Sequence, residues 1–222
     1  MSDCAVVFDM DGVLVDSYEA HFASWRRTAR AHRLEMARQQ FAATFGRTTR
    51  EIIRHLWPNV PPAGIPAWDD EKEAAYREII ALNFPEMDGA HELLESLHAA
   101  GFALAVGSSG PPENVAAVVR RLRAGRLLAA TVSGMDVTHG KPHPEVFLKA
   151  AEKLNVAPAN CAVVEDAPAG VLAARNAGMA AIALTGTAGY DQLAEQAHLV
   201  VDSHRELDPD KIGRVIRRNH GL

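Results

Sequence analysis

Cys4 and Cys161 are the only cysteines in 222 residues. Each sits in a short apolar run, so a disulfide scaffold is excluded and two core thiols in a reducing compartment are expected. A basic excess is also missing. Lys and Arg number 23 against 28 Asp and Glu, a formal charge of −5. That balance argues against a nucleic-acid partner and against an anionic membrane surface. No apolar run approaches the ~20 residues of a membrane-spanning helix. The N-terminus has neither a basic stretch leading into an apolar one nor a cleavage site, and a cytoplasmic location is expected. Internal repeats and low-complexity tracts are absent. What the chain has in quantity is apolar residues, 48% of the total, enough for one large domain or two modest ones.

Five apolar runs read as buried strands: Ala5–Phe8, Phe102–Val106, Ala130–Val132, Cys161–Val164 and Ala180–Leu184. Leu199–Val201 is a weaker sixth. They lack polar alternation, as strands covered on both faces do. Helical patterns lie between them at Gly89–Ala100, Pro112–Arg123, Pro144–Leu154 and Gly170–Ala177. Strand alternating with helix predicts an α/β fold with a Rossmann-like parallel sheet. Residues 17–85 break the alternation. They read as helices over Tyr18–His32, Ala37–Phe45, Thr49–Leu56 and Asp69–Leu82, with a Pro-rich link from Trp57 to Pro66. An all-helical cap domain, 17–85, is therefore expected as an insertion into a core of 1–16 and 86–222. A lid of this kind hinges at Asp16–Ser17 and at the Phe84–Gly89 link.

The chemistry gathers at strand ends. Ligands of parallel sheets bind outside the carboxyl ends of the strands. The first strand runs into Asp9-Met10-Asp11-Gly12, the second into Gly107-Ser108-Ser109-Gly110, and the fourth into Glu165-Asp166; Gly140-Lys141-Pro142 follows the third. Asp9 and Asp11 are two apart and point the same way in extended chain, so one can attack while the other moves protons. Asp9, Glu165 and Asp166 offer oxygen ligands with no Cys/His cluster beside them, which suits Mg²⁺ rather than zinc. Ser108 and the backbone amides around Gly12 and Ser109 suit phosphate oxygens, helped by a helix N-terminus. Lys141 neutralises crowded negative charge. Uncatalysed phosphate-monoester hydrolysis needs up to ~10²¹-fold acceleration, and this set of groups answers that demand.

The segments "FDMDGVLVDS", "AVGSSG", "GKPHPEVF" and "VVEDAPAGVLAARNAGM" resemble the four successive motifs of the haloacid dehalogenase superfamily of phosphatases and phosphomutases. The resemblance implies Asp9 as a nucleophile forming an aspartyl-phosphate and Asp11 as general acid/base. It implies Ser108 and Lys141 as phosphate-site residues. Mg²⁺ would lie on the Asp9 carboxylate, the Asp11 backbone carbonyl and Asp166, with Glu165 near. "DSYEAHFASW" and "KEAAY" are similar to the β-phosphoglucomutase-like subgroup, with His21, Trp25, Lys72 and Tyr76 on matching positions. "FGRTTRE" stands where that subgroup has a substrate loop, which implies Arg47 or Arg50 as substrate contacts. Two departures stand out: Gly110, Pro111 and Pro112 replace polar and basic side chains, and Ala167 replaces a serine.

Each residue also has a plain reading. Glu165 and Asp166 read as helix N-terminal acids, Ser108 as a turn serine and Lys141 as a solvated loop lysine. His21 and Lys72 read as helix-surface residues, and His139 and His143 as loop residues that lack a Cys or third His for zinc. Taken together the residues favour a Mg²⁺-dependent enzyme hydrolysing a small phosphorylated metabolite, a sugar phosphate. A hexose-phosphate mutase is the alternative, followed by a non-catalytic phosphate-ligand binding protein and by a dehalogenase. No nucleic-acid or membrane partner is expected, and a monomer satisfies the sequence.

Overall fold

The computed structural model describes residues 3–44 and 48–219. The chain divides into two compact units, Met1–Asp16 with Pro85–Leu222, and Ser17–Phe84. In chain order, the first elements are β1 (Ala5–Phe8), α1 (Tyr18–Ala31), α2 (Arg38–Thr44), α3 (Thr49–Leu56) and α4 (Ile65–Leu82). Then follow α5 (Ala90–Ala99), β2 (Ala103–Gly107), α6 (Pro112–Arg121), β3 (Ala130–Val132) and α7 (Glu145–Leu154). The last are β4 (Cys161–Glu165), α8 (Pro168–Asn176), β5 (Ala180–Leu184), α9 (Tyr190–Ala194), β6 (Leu199–Val201) and α10 (Pro209–Asn219).

The six strands form one parallel sheet in the order β3-β2-β1-β4-β5-β6. This is the Rossmann-like architecture read from the sequence. Every residue of β1, β4 and β5 is buried, as strands with helices on both faces must be. Val7, Ala105 and Val163 pack with Phe147 and Val146 of α7 and Val171 of α8. Each such valine stabilises the fold by roughly 1.5–3 kcal/mol through burial.

Strand order reverses around β1, the first strand made and the centre of the sheet. Phe8 stands opposite Val106 of β2 and Val164 of β4. The next residue along each strand is Asp9, Gly107 and Glu165, so register alone brings these three level. The Asp9 N–H continues the ladder by donating to the Val164 carbonyl at 2.9 Å.

The helical unit has its own core. Phe22, Trp25 and Ala29 recur at helical spacing on α1 and pack among Phe41, Ile53 and Trp68. α4 begins at Ile65, four residues ahead of the Asp69 start expected from the sequence. Pro66 explains this: in a helix's first turn its missing N–H has no intrahelical partner to lose. Phe45, Gly46 and Arg47 lie outside the described residues, and with them the end of the helix expected to reach Phe45.

The second border between the units falls before Pro85, one residue earlier than the expected 85–86 break. Pro85 already belongs to the sheet unit because its carbonyl accepts the Asp16 N–H at 2.9 Å, and Val15 bridges to Glu86. At the other end, α10 is an amphipathic helix burying Ile212, Val215 and Ile216. Among the described residues no helix is long and apolar enough to cross a membrane.

Candidate active site

The carboxyl ends of β1 and β4 meet at the switch point, and three buried acids converge there. Ligand oxygens of Asp9, Glu165 and Asp166 lie within 4.8 Å of one another. Lys141 reaches in from the loop before α7. Its ammonium donates to Asp9 Oδ1 at 2.5 Å and to Glu165 Oε1 at 2.6 Å, and it lies 4.8 Å from the centre of the Phe147 ring. Lys141 is thus no solvated loop lysine; its side chain is 9% exposed. Glu165 holds Lys141, and, as its plain reading as a helix N-terminal acid anticipates, its Oε2 accepts the Ala167 N–H at 2.7 Å at the start of α8.

Electrostatics follow from that crowding. Burial, with Glu165 and Asp166 adding to it against the opposing Lys141, holds the Asp9 carboxyl well above the usual carboxylate range. Burial and then Glu165 push Asp166 up to about 7. Burial opposes the charge on Lys141, but Asp9 and Glu165 outweigh it and raise its pKa above the ordinary lysine value. One ammonium therefore faces a surplus of buried negative charge. A hard cation on oxygen ligands would remove that surplus, and the donor set fits Mg²⁺.

The backbone makes room for these carboxylates. Gly12 has φ +78°, and a Cβ there would overlap the Asp166 carboxylate. On α8, a Cβ at Gly170 would overlap the Glu165 carboxylate. Gly170→Ala is therefore expected to drive Glu165 off Lys141 and to destabilise the protein by about 1–3 kcal/mol. Gly189→Ala, with nothing within 4 Å of its Cβ, is expected to unfold like wild type. Denaturant unfolding of the two variants measures the difference.

The remaining sequence candidates separate into groups. Asp11 is half-buried beside this cluster and adds to the upward pressure on Asp166. Ser108 is buried, and its Oγ accepts the Gly110 N–H at 3.0 Å; Ser109 is exposed. Within the helical unit, Lys72 is only 5% exposed, which corrects its reading as part of a solvated face. Its Nζ lies 3.0 Å from His21 Nδ1 and 2.7 Å from Glu73 Oε1. An ammonium only donates, so Nδ1 accepts and the ring proton is assigned to Nε2. The His21 ring stacks on Tyr76 at 4.2 Å and 8°. Arg50 is exposed on α3, and Arg47 lies outside the described residues.

Two contributors escaped the sequence reading. The Thr187 hydroxyl donates to Asp166 Oδ2. It follows the fifth strand, whose polar end "TGTAG" has the same strand-end position as the motifs and was the available signal. Gly170 stands in the same quoted segment as Glu165, but its role is a close approach to that carboxylate, which residue type alone does not announce.

The family model of haloacid dehalogenase-like hydrolases matches residues 5–178. Over 202 residues the chain is 34% identical to validoxylamine A 7'-phosphate phosphatase of Streptomyces hygroscopicus subsp. limoneus, covering 88% of this chain and 92% of that one. It is 31% identical to β-phosphoglucomutase of Bacillus subtilis, with 91% of each covered. The crystal structure of β-phosphoglucomutase from Clostridium difficile superposes with a TM-score of 0.84 at 25% identity, covering 100% of both chains.

Proposed function

The chain belongs to the haloacid dehalogenase-like hydrolases, and on that premise we propose that it hydrolyses a small sugar phosphate with Mg²⁺ as cofactor. The observation that carries this reading is the convergence of Asp9, Glu165 and Asp166 at the sheet's switch point, with a single ammonium bonded to Asp9 and Glu165. Asp9 attacks phosphorus: its carboxylate oxygen forms a bond to phosphorus as the bond to the sugar oxygen breaks. Asp11 gives that leaving oxygen its proton. Asp11 then takes a proton from water, whose oxygen displaces Asp9 and releases phosphate. Lys141 favours the ionised form of Asp9 against the burial that opposes it, and it shields the incoming phosphate from the acids. Asp9, Asp166 and the Asp11 carbonyl, with Glu165 near, would hold Mg²⁺, which supplies electrostatic stabilisation of the transferring phosphoryl oxygens when bound. Ser108 and the amides beside it bind phosphate oxygens. Recognition beyond the phosphate is assigned to the helical unit, with Arg50 and the His21–Lys72 pair as its candidates.

Likeness to a β-phosphoglucomutase supports a second reading, a hexose-phosphate mutase. The loop after Ser108 argues against it. Gly110, Pro111 and Pro112 offer no side-chain donor, the prolines have no N–H, and the Gly110 N–H is turned to Ser108. Each missing charge-assisted bond to a second phosphate costs roughly 1.5–3 kcal/mol, about ten- to a hundredfold in affinity. Water is therefore the expected acceptor from phospho-Asp9. The test is a panel of sugar phosphates with Mg²⁺, following free phosphate and isomerised product together. With β-glucose 1-phosphate and a trace of the 1,6-bisphosphate, free phosphate should exceed glucose 6-phosphate. Glucose 6-phosphate forming hundreds of times faster would establish the mutase instead.

A further inference from the structure

His139 and His143 looked like loop residues because no Cys or third His stands near them. The structure supplies a third donor of another type. Glu145, the first residue of α7, places Oε2 3.3 Å from His139 Nδ1 and 4.0 Å from His143 Nδ1. The two rings lie 4.6 Å apart at 37°. One ligand atom from each of the three residues lies within 4.8 Å of the others. We propose that His139, His143 and Glu145 form a second metal site, separate from the acidic centre, that takes Zn²⁺ or another imidazole-preferring transition-metal ion.

Donor chemistry separates the two sites. Carboxylates alone suit Mg²⁺, whereas two imidazoles and one carboxylate form a three-ligand set typical of zinc. Metal–donor bonds of about 2.0–2.2 Å put tetrahedral ligands roughly 3.3 Å apart, the separation already present between His139 and Glu145. Both histidines are exposed, so closing the third edge takes ring rotation and no core rearrangement. The carboxylate is already held in place: the Thr138 and His139 N–H groups donate to it at 3.0–3.1 Å. Such outer partners orient metal ligands. Hydrogen bonding by Lys149, then by those two amides, holds the Glu145 carboxyl down at about 2, so the ligand is ionised wherever imidazole is neutral. A cation between His139 Nδ1 and Oε2 would take the place of their present hydrogen bond, with the neutral ring carrying its single proton on Nε2. Lys149, 2.9 Å from Oε1, opposes the cation and keeps the affinity moderate.

The ligands straddle Lys141, with His139 two residues before it and His143 two residues after it. An ion bound there would fasten the Lys141 loop to the first turn of α7. The test is Zn²⁺ binding by equilibrium dialysis in excess Mg²⁺, with thermal unfolding alongside. Wild type should bind a single Zn²⁺ and gain in melting temperature. His139→Gln and His143→Gln should each weaken binding by about tenfold or more, and the double variant should show no thermal gain. Asp166→Asn, which damages the acidic centre, should bind Zn²⁺ as wild type does. The proposal is overturned by absence of binding to wild type, by equal binding to the double histidine variant, or by loss of binding in Asp166→Asn.

Discussion

Asp9→Asn is expected to fold normally and to lose at least about a thousandfold in turnover, an increase of roughly 4 kcal/mol in the barrier. Asparagine keeps the shape and still accepts from Lys141, but its amide oxygen is a poor nucleophile and a weak ligand for a hard cation. The variant should also be at least as stable as wild type when metal is removed. Burial already disfavours the ionised Asp9, and the substitution deletes that unfavourable charge. Steady-state assay, metal titration and thermal unfolding of one preparation check the three expectations together. Near-wild-type turnover by a folded variant would eliminate the covalent mechanism, whatever the substrate.

Lys141→Met should act on stability as strongly as on activity. Removing one partner of a buried charge pair costs roughly 3–5 kcal/mol because the other charge is left uncompensated. Here Asp9 and Glu165 both lose their donor. The loss should depend on pH in a defined direction. Asp9 and Asp166 already have raised pKa values in the fold, so the metal-free folded state binds more protons than the unfolded state. Stability from these groups is present below the ordinary carboxylate value of 3.8 and falls as pH rises through about 7 for Asp166. Without Lys141 both groups are pushed further up, so the variant's deficit should be small at pH 5 and largest at pH 8. Mg²⁺ should recover part of it at pH 8. Denaturant unfolding at the two pH values, with chelator and with Mg²⁺, measures this. A deficit of equal size at both would mean that Lys141 does not compensate ionised acids.

The sheet was legible because burial on both faces writes itself into consecutive residues. Ala5–Phe8, Ala130–Val132 and Ala180–Leu184 are strands with the bounds their apolar runs suggest. Helix starts were less legible where proline was taken as a break, as at Pro66, although proline is favoured in a first turn. The acids of the centre were legible because each interrupts an apolar strand at its carboxyl end. Gly170, Thr187 and Glu145 were not. Gly170 matters through a neighbour's carboxylate, Thr187 through a hydrogen bond to Asp166, and Glu145 through a loop that folds back on its helix. Sequence distance does not encode such approaches. Lys72 was misplaced for a related reason: its neighbours "DDEKE" look solvated, while the helix turns that one side chain inward, toward His21.

The position of β1 has a consequence for how the protein is made. Ala5 pairs with Ala103 on one side and with Cys161 on the other. The ribosome adds about 5–20 residues per second, so β1 waits on the order of ten seconds or more for its second neighbour. During that interval an apolar strand has bare edges in a crowded cell, a configuration that invites pairing with other nascent chains. Synthesis of this enzyme is therefore expected to depend on whatever shields an early strand until a late one emerges, more than the stability of the finished sheet would suggest.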